Sequence, residues 1–495
     1  MKYRTFFLFC LSILSPGVLP AQEITLDLPR VIALANDSSL QAFRNRNLYL
    51  SGFWQYRSYR ANRLPSLTLD LVPAQYNRDI TERYDSEIDA DVYREQQRFS
   101  VGATLSVKQN VDFTGGTFYL ETDLDYMRNF GATSYTQFST VPIRVGYSQN
   151  LIGYNEFRWE KKIEPVRYEK VKRQYVYNSE QVSESAVNYF FSLAMAQTNY
   201  DMALSNVSTS DTLYRIGMER YKIAAIEKSD LLTLELDMVN ARNSLENARI
   251  ELDKATYALV SFLNLPQGTR ISLILPSNPR MVNIPLDQAV QFAKENNPVY
   301  YEQKQNVLEA EQTVDRTRKE SRFNASVNAS VGLNQVADRL GEAYRHPLQQ
   351  QVVSLSLSIP IVDWGVARGK YNMAKNELNV AYITAQQEKQ SVEQEVVVTV
   401  RDFNVQQQML SSASQALRLA EDAYMQTYRR FVIGNADVNA LSLALNRQQT
   451  AQRNYVTALQ NYWSNYYKIR RLTLYDFEWN VSLYEKFDFE NKVIR

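Results

Sequence analysis

Apolar residues recur along this chain with two different periods, and the two kinds of stretch alternate. From about Tyr154 to Leu263 the spacing is helical. Leu231, Leu234, Met238, Leu245, Leu252, Ala255, Leu259 and Phe262 keep an approximate coiled-coil repeat. Ahead of them about 60 residues run without a convincing stop, and their only proline, Pro165, lies near the start. The pattern predicts one helix on the order of 100 Å long, a break across Ile223-Ala224-Ala225-Ile226-Glu227-Lys228-Ser229-Asp230, and a second helix of about half the length. Such a helix exceeds what a compact domain needs and points to a coiled coil, a repeat or a bundle wall.

Elsewhere the period is two. Leu67, Leu69 and Leu71 alternate with Ser66, Thr68 and Asp70. Phe323, Ala325, Val327, Ala329, Val331 and Leu333 alternate with small polar residues and Gly332. Returning strands follow at Val353, Leu355, Leu357, Ile359 and Ile361, and at Val141, Ile143, Val145 and Tyr147. Period two makes one apolar and one polar face. Small, uncharged polar positions suit a water-filled lumen with lipid behind it, although a one-sided soluble sheet alternates in the same way.

The pattern also occurs twice. Arg220-Tyr221-Lys222-Ile223-Ala224 aligns with Arg430-Phe431-Val432-Ile433-Gly434, a register difference of 210 (430 against 220). The same difference pairs Arg158 with Arg368, Ala241 with Ala451, Ala248 with Ala458 and Tyr257 with Tyr467. Nearer the N-terminus Leu28 pairs with Leu286, Ala35 with Ala293 and Arg60 with Arg318, a difference of 258 (286 against 28). The first copy therefore carries 48 extra residues (258 against 210) between its strands. Two more alternating segments lie there, Phe99 to Val107 and Phe118 to Tyr126, joined at Gly115-Gly116, a tight-turn signal. The stretches from about Asn77 to Gln97 and Asn129 to Ser139 read as longer loops. Outer-membrane barrels have short periplasmic turns and long external loops, so the Gly-Gly turn is expected at the periplasmic side. The extra hairpin either enters the barrel or packs beside it.

Composition narrows the chemistry. Of 495 residues 45% are hydrophobic and the net charge is +1, which gives no reason to expect nucleic acid as partner. The single Cys, Cys10, lies in the N-terminal segment, and the single His, His346, lies in a polar loop. Cysteine metal sites, Cys/His nucleophiles and Ser/His/Asp triads therefore lack their parts, and no catalytic, cofactor or metal site is expected. No Gly-rich phosphate loop appears either. Lys2 and Arg4, the apolar run Phe6 to Leu14 and Leu19-Pro20-Ala21 read as a secretory signal peptide over residues 1–21. No later run approaches the length of a transmembrane helix.

The expected fold is mainly α with a membrane β-barrel portion and a two-fold internal repeat. The first repeat spans 22–280, with strands over about 65–151 and a long helical hairpin over about 154–263. The second spans 281–473, with strands over about 322–362 and a helical hairpin over about 364–472. Residues 474–495 form an aromatic, acidic tail placed around the equator of the helices. Four or six strands cannot close a barrel with a lumen, for which about eight is the small end. Open edges are not tolerated in lipid. The barrel is thus expected to be shared between chains, with about twelve or about eighteen strands for three copies.

In this arrangement the chain resembles the TolC-like outer-membrane factor family over essentially its whole length after residue 21. Asn297-Pro298, Ile359-Pro360-Ile361-Val362-Asp363-Trp364-Gly365 and Arg430-Phe431-Val432-Ile433-Gly434 carry the resemblance. It implies a homotrimeric channel-tunnel of a Gram-negative outer membrane, with a helical barrel in the periplasm. The tunnel would serve efflux or type I secretion beside a periplasmic adaptor and an inner-membrane pump. Ala224 stands where the family often has glycine, which suggests a less sharp first turn. Asp230 matches a position of the family's acidic entrance ring, but its partner in the second repeat is Ala440. On this reading Asp230, Glu227 and Asp437, with Arg220, Arg430 and Gly434, form the periplasmic tip and gate. Helix capping explains the acids equally well. Tyr147, Tyr154, Phe157, Trp159 and Trp364 form an aromatic girdle or simply pack the strand-to-helix junctions. A secreted coiled-coil scaffold without a pore is the main rival; an enzyme and a simple diffusion porin fit the pattern less well.

Overall fold

The computed structural model describes residues 23–487, apart from 131–133, 152, 277–278 and 434, together with residue 489. The expected signal peptide and Gly434 lie outside the described residues. In chain order the elements begin with β1 (Glu23–Asp27), α1 (Leu28–Ser38) and α2 (Leu40–Ala61). Strands β2 (Ser66–Asp85), β3 (Ala90–Val111), β4 (Gly116–Phe130) and β5 (Tyr135–Asn150) follow. Then come α3 (Glu156–Lys222), α4 (Lys228–Phe262), β6 (Arg270–Ile274), α5 (Leu286–Asn296) and α6 (Pro298–Glu320). The chain ends with β7 (Asn324–Ala337), β8 (Leu348–Ser358), α7 (Val366–Val432), α8 (Val438–Thr473) and the short pair β9 (Tyr475–Asp476) and β10 (Val481–Ser482). The protein is mostly helical. Helices α3 and α7 have 67 residues each, and α4 and α8 have 35 and 36.

The helix starts follow from their capping residues. Asp27 accepts the Arg30 N–H at 2.9 Å, and Ser39 accepts the Ala42 N–H at 3.1 Å. Asn297 accepts the Val299 N–H at 3.0 Å, with Pro298 in the first turn, where its missing N–H costs nothing.

Two compact units share the chain. The first comprises Met1–Leu48, Tyr175–Asn296 and Glu393–Arg495. In it β1 pairs in parallel with β6, and β9 with β10. The tail folds back on the helices: Leu474 and Leu483 are buried against Val176. Arg470 is held between Glu180 (2.9 Å) and Asp476 (2.8 Å), and Asp476 also accepts the Tyr466 hydroxyl at 2.7 Å. Burial opposes the charge of Arg470, but the two carboxylates outweigh it and raise its pKa. Burial also pushes Tyr462 and Tyr467 up to about 12.

The second unit comprises Tyr49–Gln174 and Asn297–Val392 and contains one six-stranded sheet, in the order β2-β3-β4-β5-β7-β8. Every neighbouring pair is antiparallel. The extra hairpin β3–β4 is thus an integral part of the sheet, in its first half, and does not pack beside it. The charged stretch Asn77 to Gln97, expected as a loop, is instead a β-hairpin whose ladder continues to Asp85↔Ala90. Alternation of charge with Tyr and Ile keeps it extended, although it buries little.

Two prolines set irregularities in the ladder. The β2–β3 register shifts between Val72 and Gln75, around Pro73. The β5–β7 register shifts between Thr140 and Ile143, around Pro142. Proline has no N–H for the ladder, so each sits where one residue bulges. The second bulge has a consequence the alternation did not reveal. Val141 pairs with Asp123 on the polar face, whereas Ile143, Val145 and Tyr147 keep the apolar one.

Candidate functional site: the sheet faces and the paired helix turns

Reading across the ladder gives the two faces of the sheet. Leu67, Val107, Leu120, Val145 and Val331 form one row of the apolar face. Val107 is half-buried and the other four are exposed, Leu67 at 69% and Val331 at 63%. On the inner strands the polar face is sheltered: Ser106 and Ser330 are buried, and Glu121, Asp123 and Arg144 are largely covered. A soluble sheet hides its apolar face. Here the apolar face is bare, as expected where lipid lies on that side and water on the other. Among the described residues, nothing pairs with the outer edges of β2 and β8.

The turn between β3 and β4 marks one end of this sheet. Gly115 takes φ 78°, a left-handed conformation suited to glycine. Asp112 beside it binds Arg63 at 3.0 Å, in the link from α2 to β2. Asn155, at the start of α3, donates to the Asp112 carbonyl at 3.0 Å. The helices therefore enter and leave the sheet at the end where the Gly-Gly turn lies.

The aromatic candidates divide by environment at this end. Tyr147 packs on Phe118 at 4.5 Å and donates to Thr114 at 2.7 Å. The Tyr154 hydroxyl accepts from Gln312, and burial raises its pKa. Phe157 offers its carbonyl to Arg63 at 2.7 Å. Trp159 donates its indole N–H to Asp315 at 2.8 Å. Only Trp364 of the five stands clear, at 95% exposure, with φ 54°. Two further bare residues join it at strand ends, Phe113 and Ile361. Phe113 lies in the turn before Gly115-Gly116, a position that strand periodicity does not single out.

The helix turns of the first unit carry the other candidates. The α3–α4 turn closes with Ala225 N–H to the Arg220 carbonyl at 2.8 Å, and the α7–α8 turn with Asn435 N–H to the Arg430 carbonyl at 2.8 Å. Both are the six-to-one bond of a helix C-terminus, which in the first turn runs through a left-handed residue. Ala224 takes that role with φ 56°, so the first turn is no less sharp for lacking glycine. Asp230 accepts the Glu227 N–H at 3.3 Å, and Asp437 accepts the Ala440 N–H at 2.6 Å, so both acids cap helices. Arg430 donates to the Asn435 carbonyl of its own turn at 3.2 Å. Arg220 instead reaches the other turn, donating to the Phe431 carbonyl at 3.5 Å with its guanidinium 5.3 Å from the Phe431 ring. Under it Leu213, Leu234, Phe431 and Leu441 form a buried knot that joins the two turns. Gly217 allows the close approach of α3 and α4, since a Cβ there would meet the Leu234 side chain. Leu234 fits the heptad spacing, but the knot's membership depends on which turns meet, which periodicity does not say.

Among the described residues no group of acidic, His or Cys side chains is gathered to hold a metal, and no helix is long and apolar enough to cross a membrane. No curated protein matches the chain in sequence. The profile of the outer membrane efflux protein family matches residues 289–473. In structure the chain is similar to the CmeC outer membrane channel of Campylobacter jejuni, with TM-score 0.66 and 13% identity over 94% of this chain and 88% of that one. It is similar to the outer membrane protein VceC of Vibrio cholerae, with TM-score 0.63 and 13% identity over 90% and 95%. It is also similar to the open state of the Neisseria gonorrhoeae MtrE outer membrane channel, with TM-score 0.57 and 14% identity over 90% and 88%. Residues 289–473 thus match the outer membrane efflux protein family, and about nine-tenths of the chain is similar in fold to outer-membrane channels.

Proposed function

We propose that this protein is the outer-membrane duct of a tripartite efflux or type I secretion system. Three copies close their sheets into one barrel of about eighteen strands, six from each. The observation that carries this reading is the bare apolar face of a sheet whose two edges are unpaired. Six strands cannot enclose a lumen, and open edges cannot face lipid, so β2 of one copy pairs with β8 of the next. β2 follows α2 away from the helix end and β8 returns to α7, so the two meet antiparallel. The equal lengths of α3 and α7, and of α4 and α8 to within one residue, support a two-fold repeat whose helices line a periplasmic passage.

The duct conducts passively. The paired turns around Ala224 to Asp230 and Gly434 to Ala440 form its inner mouth, with Asp230, Glu227 and Asp437 near the opening. Arg220 on Phe431 and the knot beneath it hold the two turns together. Opening therefore requires these contacts to be exchanged when an adaptor engages the turns. Trp364, with Phe113 and Ile361, anchors the strand ends at the inner lipid surface.

Electron microscopy of protein purified in detergent from outer membranes tests the reading. Threefold particles whose barrel shows about eighteen strands are expected. Monomers, or protein recovered without detergent, overturn it and favour a scaffold without a pore.

A further inference from the structure

The apolar face of the sheet changes character at one level. On β4 it reads Phe118, Leu120, Thr122, Leu124 and Tyr126. Eight residues of strand cover about 27 Å, which at a tilt of about 40° is about 21 Å of membrane depth. The apolar band of an outer-membrane barrel is about 25 Å tall, so the next position on this face stands at its edge. That position is Arg128. Strand β4 begins at the Gly-Gly turn, where the helices attach, so Arg128 lies toward the opposite end of the sheet.

Arg128 is exposed, with its guanidinium 5.0 Å from the Phe130 ring, and among the described residues no carboxylate pairs with it. The register puts Phe99 on one side of it and Thr136 on the other. Tyr126, Phe130, Gln97 and Phe138 hold adjoining positions, and none is acidic. Further out on this face Arg78 and Glu95 pair with each other, and Glu82 and Asp91 lie beyond them on the β2–β3 hairpin. Arg98 belongs to the opposite, polar face.

A second observation lies on the next strands. The Thr140 side chain shares this face with Leu124, and its hydroxyl donates to the Ala343 carbonyl at 2.5 Å, with both residues fully buried. The loop between β7 and β8 thus reaches the same face. It holds Arg339, Arg345 and His346 exposed, with Asp338 and Glu342 among them. Strands β7 and β8 carry Gln335, Gln349 and Gln351 toward the same end of this face. A bare guanidinium at the edge of hydrocarbon calls for an anion, and its planar fork fits phosphate. Aromatic rings mark the same interface, and the amides and hydroxyls beside them can bond sugar hydroxyls. A lipid whose chains cover Leu120 and Leu124 sets its headgroup at the level of Tyr126, Arg128 and Thr140.

We infer that this rim docks one class of lipid, a glycolipid with a phosphorylated sugar headgroup, Arg128 taking the phosphate and the amide and hydroxyl side chains the sugar. This rests on the duct reading, which puts this face in lipid and this end outside. Arg128 stands on the inserted hairpin β3–β4, which the second repeat lacks, so each copy carries one such site.

Native mass spectrometry of the full-length protein, purified in detergent and stripped of lipid, tests this. The probes are lipid A with both phosphates, the same lipid without phosphates, and phosphatidylglycerol. The wild type is expected to bind phosphorylated lipid A, one for each copy, more tightly than either other lipid. R128Q should weaken that binding about tenfold, the worth of one charge-assisted hydrogen bond, and leave binding of the phosphate-free lipid unchanged. R128K should recover part of the loss, and R98Q, on the polar face, should bind as the wild type does. Threefold particles in which R128Q binds lipid A as well as the wild type overturn the inference but leave the duct intact. Phosphatidylglycerol bound as tightly as lipid A, or lipid A displaced by inorganic phosphate, overturns it too, because any anion would then serve. Protein that is monomeric and soluble without detergent overturns the duct reading, and the inference with it.

Discussion

Ala224 illustrates how far a single residue can depart from the preference of its position. A left-handed alanine costs about 1 kcal/mol or more relative to glycine, and the six-to-one bond to Arg220 holds it there. Replacing Ala224 by Gly is expected to raise the melting temperature without changing assembly, as measured by thermal unfolding in detergent. Arg470 lies at the opposite extreme. Removing its side chain leaves Glu180 and Asp476 buried without their cation, so R470M should destabilise the first unit by about 3–5 kcal/mol. Denaturant unfolding with R470K as comparison measures this; Lys should recover only part, because it cannot fork between two carboxylates. Asp315 links stability to pH. Burial works to raise its pKa, but hydrogen bonds from Trp159 and Lys319 outweigh it, and the net shift is downward. Its contribution is therefore present above the unfolded value of about 4 and is lost as pH falls through the lower folded value. Unfolding of D315N between pH 7 and 3 should show a shallower loss of stability on the acid side than the wild type. The Asn297-Pro298 start of α6 was legible in the sequence, because a cap is a local event. The Arg470 network was not, since nothing local announces that the tail folds back over α3 and α8.

At the scale of elements, helices were the easiest to read. Their heptads and the break near Ala224 gave bounds within two residues of α3 and α4 at the helix start and end. Strands were read by alternation, and alternation fails where a bulge shifts it. Pro142 is visible in the sequence, but its effect on Val141 is not, because a bulge is defined only against the neighbouring strand. The β2–β3 extension was misread for a related reason. Charge suggested a loop, whereas the charged positions alternate with Tyr and Ile along a paired ladder. The faces now separate two kinds of substitution. Val331→Arg places a cation on the apolar face and should cost about 2–4 kcal/mol near the membrane midplane. Asn328→Arg, on the polar face of the same strand, should be close to neutral. Heat-modifiability on gels of outer-membrane fractions distinguishes them: V331R should be depleted from the folded form, and N328R should not.

For the whole molecule, the sequence reads as a two-fold pattern with 48 additional residues (258 against 210) in its first copy. Whether those residues entered the sheet was not legible there, because strand order is a property of pairing and either packing buries the same segments. The paired turns were equally hidden: both could be located, but the contact of Arg220 with Phe431 and the buried knot beneath it show that they meet. The unpaired edges of β2 and β8 also have a genetic consequence. If each copy completes its neighbours' sheets, one faulty subunit spoils the ring that contains it. A Pro substitution in the middle of β8, such as Leu355→Pro, should then be dominant. Co-expressed in equal amounts with the wild type, it leaves only about one ring in eight free of the mutant. Cells carrying both alleles should resemble the null far more than the heterozygous average. A trait that declines only in proportion to gene dosage would indicate that each chain closes its own wall.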